Sequence, residues 1–169
     1  MRQDAGFTLV ETMVALGLLL VVATGILPLG LIAMNSTENQ GHLMARTVEY
    51  AQDKLEQLMA LSYGDQTSDT RVFPAVDIGG TGLTVGGSAD PAAPVALYVD
   101  YLDVNGTLVP SVGTEAPNGW YYKRVWSVTQ AGALLKQITV TATVRTAAAA
   151  GTGGVIPRAT VTVLKTSPF

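Results

Sequence analysis

The sequence predicts an α+β protein: a long N-terminal α-helix, apolar in its first half and amphipathic in its second, packed on a C-terminal antiparallel β-sheet head. Three observations carry this. No charged residue occurs from Thr12 to Met34, apolar residues recur from Met44 to Leu58 at alternating spacings of four and three, and beyond Val95 apolar and polar residues alternate with a period of two. The first pattern is that of a membrane span, the second that of a helix lying on a surface, and the third that of half-buried strands.

Composition narrows the chemistry. The 169 residues suit one globular domain with an appendage, and the net charge of −3 comes with no basic cluster, so no nucleic-acid partner is predicted. The chain has no cysteine, which removes disulfides, thiolate nucleophiles and Cys-based zinc sites. Its single histidine, His42, lies in a polar helical stretch near the membrane, a poor place for a Ser-His-Asp triad. No enzymatic activity and no cofactor are expected.

The apolar run Thr12–Met34 covers about 23 positions, enough for a helix to cross a hydrocarbon core of roughly 30 Å. It contains Gly17, Gly25, Pro28 and Gly30. Pro28 has no amide for the Thr24 carbonyl, so the helix is expected to weaken or kink there. Asn35, Ser36 and Thr37 mark the exit into a polar environment. The run exceeds the usual apolar length of a secretory signal and no small-x-small cleavage site follows it, so a retained anchor is expected. By the positive-inside rule, Arg2 leads to the expectation that the β-rich remainder faces outside the cytoplasm.

Glu11 stands out, because a carboxylate in an apolar segment is costly unless compensated. Thr8-Leu9-Val10-Glu11 matches a capping box, in which Glu11 serves only a first-turn amide. The alternative is a partner outside this chain.

Residues 35–62 read as the amphipathic half. Met44, Val48, Ala51, Leu55 and Leu58 form a seam, while Arg46, Glu49, Asp53, Lys54 and Glu56 mostly occupy the other faces. The seam is expected to pack on the chain's own sheet, with part of it meeting helices of other subunits. Gly64, within Tyr63-Gly64-Asp65, is expected to be a left-handed C-cap.

Residues 63–169 read as the head. Val95–Val104 is rich in strand formers, and Asn105-Gly106 then turns the chain into "TLVP". In "YYKRVWSVT" (Tyr121–Thr129), Tyr122, Arg124, Trp126 and Val128 share one parity. In "KQITVTATVR" (Lys136–Arg145), Ile138, Val140, Ala142 and Val144 face one way and the threonines the other. "ATVTVLK" (Ala159–Lys165) repeats the pattern. An antiparallel sheet with one face on a helix and the other towards solvent follows. Gly79–Pro94 and Ala147–Gly154 read as loops too small and polar to hold a core. Neither ends in the Lys-Ser/Thr of a phosphate loop. Asp100, Asp103 and Asn105 offer oxygen ligands to a hard cation such as Ca²⁺, although the spacing and terminal Glu of an EF-hand are missing. The alternative is a solvated strand edge running into a turn.

At "GFTLVE" (Gly6–Glu11) the chain resembles type IV pilins and the related pseudopilins of type II secretion: a brief class III leader ending in glycine, then Phe7, then a carboxylate at the fifth position after the cut. Pro28 also falls where such proteins have a helix-weakening proline. The resemblance covers roughly residues 1–62. It implies a leader peptide at 1–6, removed by a membrane prepilin peptidase between Gly6 and Phe7, and N-methylation of Phe7. Residues 7–34 would form the transmembrane and later filament-core helix, and Glu11 would pair with the terminal amine of a neighbouring subunit. The implied partners are other pilin subunits, the peptidase, an inner-membrane assembly platform, and membrane lipid before assembly. The implied localisation is the inner membrane as a single-pass precursor, then a pilus or pseudopilus with the head outside the cytoplasm.

The function so implied is a structural subunit of a type IV pilus, minor rather than major. A pseudopilin of a type II secretion system and a non-polymerising membrane-anchored β-domain that binds a ligand are the alternatives. The leader departs from the family pattern in having Arg2 as its sole basic residue, with Asp4 beside it. The lack of cysteine removes the C-terminal disulfide of many major pilins. "KRVWSV…LKQITVTATV" is similar to minor pilins and I-type pseudopilins.

Overall fold

One helix, α1 (Leu9–Ala60), carries both halves of the N-terminal pattern in the computed structural model, which describes residues 8–71, 80–145 and 156–167. The chain divides into two compact units, residues 1–38 and 39–169. In the first unit Thr8 starts the helix. Its hydroxyl accepts the Glu11 amide at 3.3 Å, and its carbonyl accepts the Thr12 amide at 3.1 Å. The helix continues through Pro28. The apolar side chains from Leu9 to Met34 are exposed, and this is the stretch long and apolar enough to cross a membrane. The threonine hydroxyls turn back onto the helix itself: Thr12 onto the Leu9 carbonyl at 2.8 Å, and Thr24 onto those of Leu20 and Val21 at 3.0 and 2.9 Å. Such internal satisfaction is what a polar side chain needs in a water-poor medium.

The second unit is the head. Its strands are β1 (Gly86–Gly87), β2 (Val99–Leu102), β3 (Leu108–Val109), β4 (Tyr122–Gly132), β5 (Leu135–Val144) and β6 (Arg158–Thr166). All pairings are antiparallel, in the order β3-β2-β4-β5-β6. β1 joins the same edge of β4 that β2 uses, further along it: β2 faces Tyr122–Val125 and β1 faces Ser127 and Val128. The period of two works as expected on the helix side. There Tyr122, Trp126, Val128, Ile138, Val140, Ala142 and Val144 are buried with Leu43, Tyr50, Ala51 and Leu58 of α1. The Tyr50 and Tyr122 rings meet edge to face at 4.8 Å.

Five expectations need correction. The helix turns a different arc to the sheet: Leu43, Thr47, Tyr50, Ala51, Lys54 and Leu58 are buried, whereas Met44 and Val48 remain 37% and 36% exposed. Gly64 is not a left-handed cap, since positive φ among the described glycines occurs only at residues 82, 86, 87, 106, 113 and 119. Instead the Asp65 carboxylate organises the segment after the helix, accepting the Thr67 and Ser68 amides at 3.0 Å each. The strand predicted at Val95–Val104 shortens to β2, because the Tyr98 amide closes a turn on the Val95 carbonyl and Leu97 takes φ 69°. The glycine-rich stretch does hold core: Leu83 is fully buried, and β1 packs Gly87 under Trp126 and Tyr98. The far face of the sheet is not all solvated, since Val99, Tyr101 and Val125 form a second cluster with Val109 and Trp120. The loop Ala147–Gly154 lies outside the described residues.

Candidate assembly site and the charge cluster under the helix

Of the residues tied to processing and assembly, Gly6 and Phe7 lie outside the described residues, and Glu11 sits in the first turn of α1. Half of the capping box is formed, since Thr8 accepts the Glu11 amide. The Glu11 carboxylate is exposed and makes no hydrogen bond or ion pair among the described residues. A first-turn carboxylate is favoured by the positive end of the helix dipole. Starting at the next residue, Thr12, Met13, Leu16, Gly17 and Leu20 line a shallow apolar notch where the glycine lacks a side chain. A carboxylate followed by an exposed apolar surface is therefore what this end of the chain presents.

The head holds a charge cluster. Asp100 on β2 and Arg124 on β4 are direct cross-strand partners. Arg124 donates to both Asp100 oxygens, Nε to Oδ1 at 2.7 Å and Nη2 to Oδ2 at 2.8 Å. Lys54 comes from the helix with no exposed surface, placing Nζ 2.7 Å from Asp100 Oδ2 and 4.8 Å from the centre of the Trp126 ring. Lys54 also donates to the Thr70 carbonyl. Asp53, at the helix surface, takes Arg124 Nη1 at 2.8 Å. Two cations and two carboxylates make the cluster electrically neutral, the condition under which buried charge is tolerated.

Burial pushes the Lys54 amine below its ordinary pKa, and the Asp100 carboxylate only partly offsets that. Burial also pushes the Asp100 carboxyl up, but Arg124 and Lys54 outweigh it and hold the group below the carboxylate range.

A pair of lysines from the sheet finishes the helix. The last turn of α1 carries no basic residue of its own. Lys165 on β6 donates to the Met59 and Leu61 carbonyls. Its cross-strand partner Lys136 on β5 donates to the Tyr63 and Leu83 carbonyls at 2.8 Å each, with Nζ 4.6 Å from the Tyr63 ring centre. The sheet thus supplies the cations that the negative end of the helix lacks.

The three oxygen-bearing residues proposed for calcium are not brought together. Asp100 is committed to Lys54 and Arg124, and Asp103 Oδ1 accepts the Asn105 and Thr107 amides at 2.8 Å each within the hairpin turn. No group of three His, Cys, Asp or Glu able to hold a metal ion occurs among the described residues.

Sequence reasoning placed Lys54 on the solvent side and gave Arg124 no role. A signal was present in each case. Arg124 shares the apolar parity of Tyr122, Trp126 and Val128, and Lys54 lies four residues after Tyr50 and three after Ala51. A cation on an otherwise apolar stripe requires a buried counter-charge.

The family model described as the prokaryotic N-terminal methylation motif matches residues 1–27 of the chain. No curated protein and no solved structure matches it. The motif, the apolar helix behind it and the antiparallel head together support a type IV pilin-like prepilin, and fit a membrane-anchored precursor.

Proposed function

We propose that the chain is a structural subunit of a type IV pilus, of the minor class, cut after Gly6 and methylated on the new amine of Phe7. The observation that supports this most is the Glu11 carboxylate: it lies within the matched motif, at the head of an exposed apolar surface, with no partner among the described residues. In a helical filament the cationic terminus of one subunit meets Glu11 of the next. A charge pair excluded from water is far less costly than a lone carboxylate, so the pairing selects one axial register of assembly. Residues 7–34 leave the lipid for the filament core, and the missing amide at Pro28 lets the helix adapt between the two.

Mass spectrometry of the mature subunit, from cells with an active prepilin peptidase, tests the processing step. An N-terminus at methylated Phe7 is expected; an intact Met1 refutes the reading. Glu11→Gln tests the pairing, because glutamine still closes a capping box but carries no charge. Loss of the subunit from sheared filaments is expected, and normal incorporation counts against the charge pair. Recovery only in a secretion-system pseudopilus, never in surface pili, selects the pseudopilin alternative.

A further inference from the structure

The head-docking half of α1 carries two competing faces. One is the apolar seam Met44, Val48, Ala51, Leu55 and Leu58. The other is the arc that is buried, Leu43, Thr47, Tyr50, Ala51, Lys54 and Leu58. They share Ala51 and Leu58, Leu55 of the seam is also partly buried against the core, and the two faces are centred about 70° apart around the helix axis. The seam carries neither the Thr47 hydroxyl nor the Lys54 ammonium and so brings no charge to be desolvated, whereas the buried arc sets Leu43 and Tyr50 beside those two polar groups. The helix nonetheless buries Thr47 and Lys54, both with no exposed surface, and leaves Met44 and Val48 out.

We infer that Lys54, engaging the Asp100–Arg124 cross-strand pair and the Thr70 carbonyl, is a rotational lock that selects which face of α1 docks on the head. A buried ion pair adds little net stability over an apolar replacement. It is directional, however, and a rotation that takes Lys54 away from Asp100 leaves a buried carboxylate short of one cation. The apolar seam carries no such directional information. The lock also has a consequence for surfaces: it holds Met44 and Val48 outward on the helix that carries the chain's membrane segment. Asp53, which reaches Arg124 from the rim at 2.8 Å, braces the same rotation from the neighbouring position.

The cysteine-free chain allows a direct test by thiol labelling of the full-length protein in detergent micelles. Thr47→Cys reports the buried arc and Val48→Cys the outward face. In otherwise unaltered protein, the residue 47 thiol should label at least about tenfold more slowly than the residue 48 thiol, because buried thiols react only through local opening. Lys54→Met keeps the length of the side chain, fills the same space and leaves Asp100 paired with Arg124. It should raise the labelling rate at residue 47 about tenfold as the helix rolls towards its apolar seam.

Adding Val48→Lys to Lys54→Met makes the seam costly to bury and should return residue 47 to slow labelling. Rotation and simple melting differ at this step, since a second substitution that adds charge cannot refold a melted head. Equal labelling at residues 47 and 48 in the parent, unchanged labelling in Lys54→Met, or fast labelling that Val48→Lys fails to reverse would each overturn the lock.

Discussion

Replacing Asp100 by Asn removes one charge and almost no volume, so it isolates the electrostatics of the buried cluster. In the parent, this carboxylate takes two hydrogen bonds from Arg124 at 2.7 and 2.8 Å and one contact from Lys54 at 2.7 Å. With an amide there, Arg124 keeps the counter-charge of Asp53, whose side chain is 53% exposed, while Lys54 is left with neutral acceptors and the face of Trp126. Removing one partner of a buried pair costs about 3–5 kcal/mol. An independent ceiling comes from letting Lys54 lose its proton. From an ordinary pKa of 10.5, neutralisation at pH 7 costs about 5 kcal/mol. The two figures agree, and for a head of this size they correspond to a fall in Tm of about 10–20 °C.

Unfolding of the full chain in micelles, followed by tryptophan fluorescence, measures the loss. Asp103→Asn is the matched control, since an Asn oxygen can still accept the two turn amides, and it should change stability by about 0.5 kcal/mol or less. The acid limb supplies a second reading. A carboxylate held below its usual pKa adds stability above that ordinary value, and the stability is lost as pH falls from 3.8 through the folded-state value. Asp100→Asn should therefore lose the part of the acid limb that Asp100 contributes. If Asp100→Asn stays within about 1 kcal/mol of the parent at neutral pH, the buried cluster does not hold the helix to the sheet, and the reasoning fails.

Four further outcomes follow from the head. Gly87 has φ +81°, and a Cβ there would lie 2.3 Å from the Trp126 carbonyl oxygen, which cannot yield; Gly87→Ala should cost about 2–4 kcal/mol in urea unfolding. Gly113, also at positive φ but facing open space, should cost about 1 kcal/mol as alanine. Lys165→Met removes the two hydrogen bonds its ammonium donates at the end of α1, and hydrogen exchange of the last-turn amides should quicken as about 1–2 kcal/mol of capping is lost. At alkaline pH, burial, then Tyr50 and Tyr121, push Tyr122 from 10.0 up to about 12. The folded state therefore holds a proton that the unfolded chain gives up, and stability should fall as pH rises from 10 towards 12, with Tyr122→Phe removing that part of the slope.

Local pattern determined much of this protein. The apolar run, its cap at Thr8 and the carboxylate at Glu11 depend only on neighbours within a few residues, and they were legible from order alone. So were β4, β5 and β6, because a period of two survives any arrangement of the partners. The Asn105-Gly106 hairpin was legible for the same reason: Gly106 takes φ 85°, as the turn requires.

What the tertiary structure decided is non-local. Which arc of α1 faces the sheet depends on a carboxylate 46 positions beyond Lys54 and a guanidinium a further 24 beyond that. Leu83 enters the core from a loop tied at distant points, its amide to the Asp65 carbonyl and its carbonyl to Lys136 Nζ, each at 2.8 Å. The cations at the end of α1 arrive from two strands near the C-terminus. Periodicity measures what one element can bury by itself. It cannot measure the electrostatic return on burying a charge, because that exists only once the counter-charge is in place.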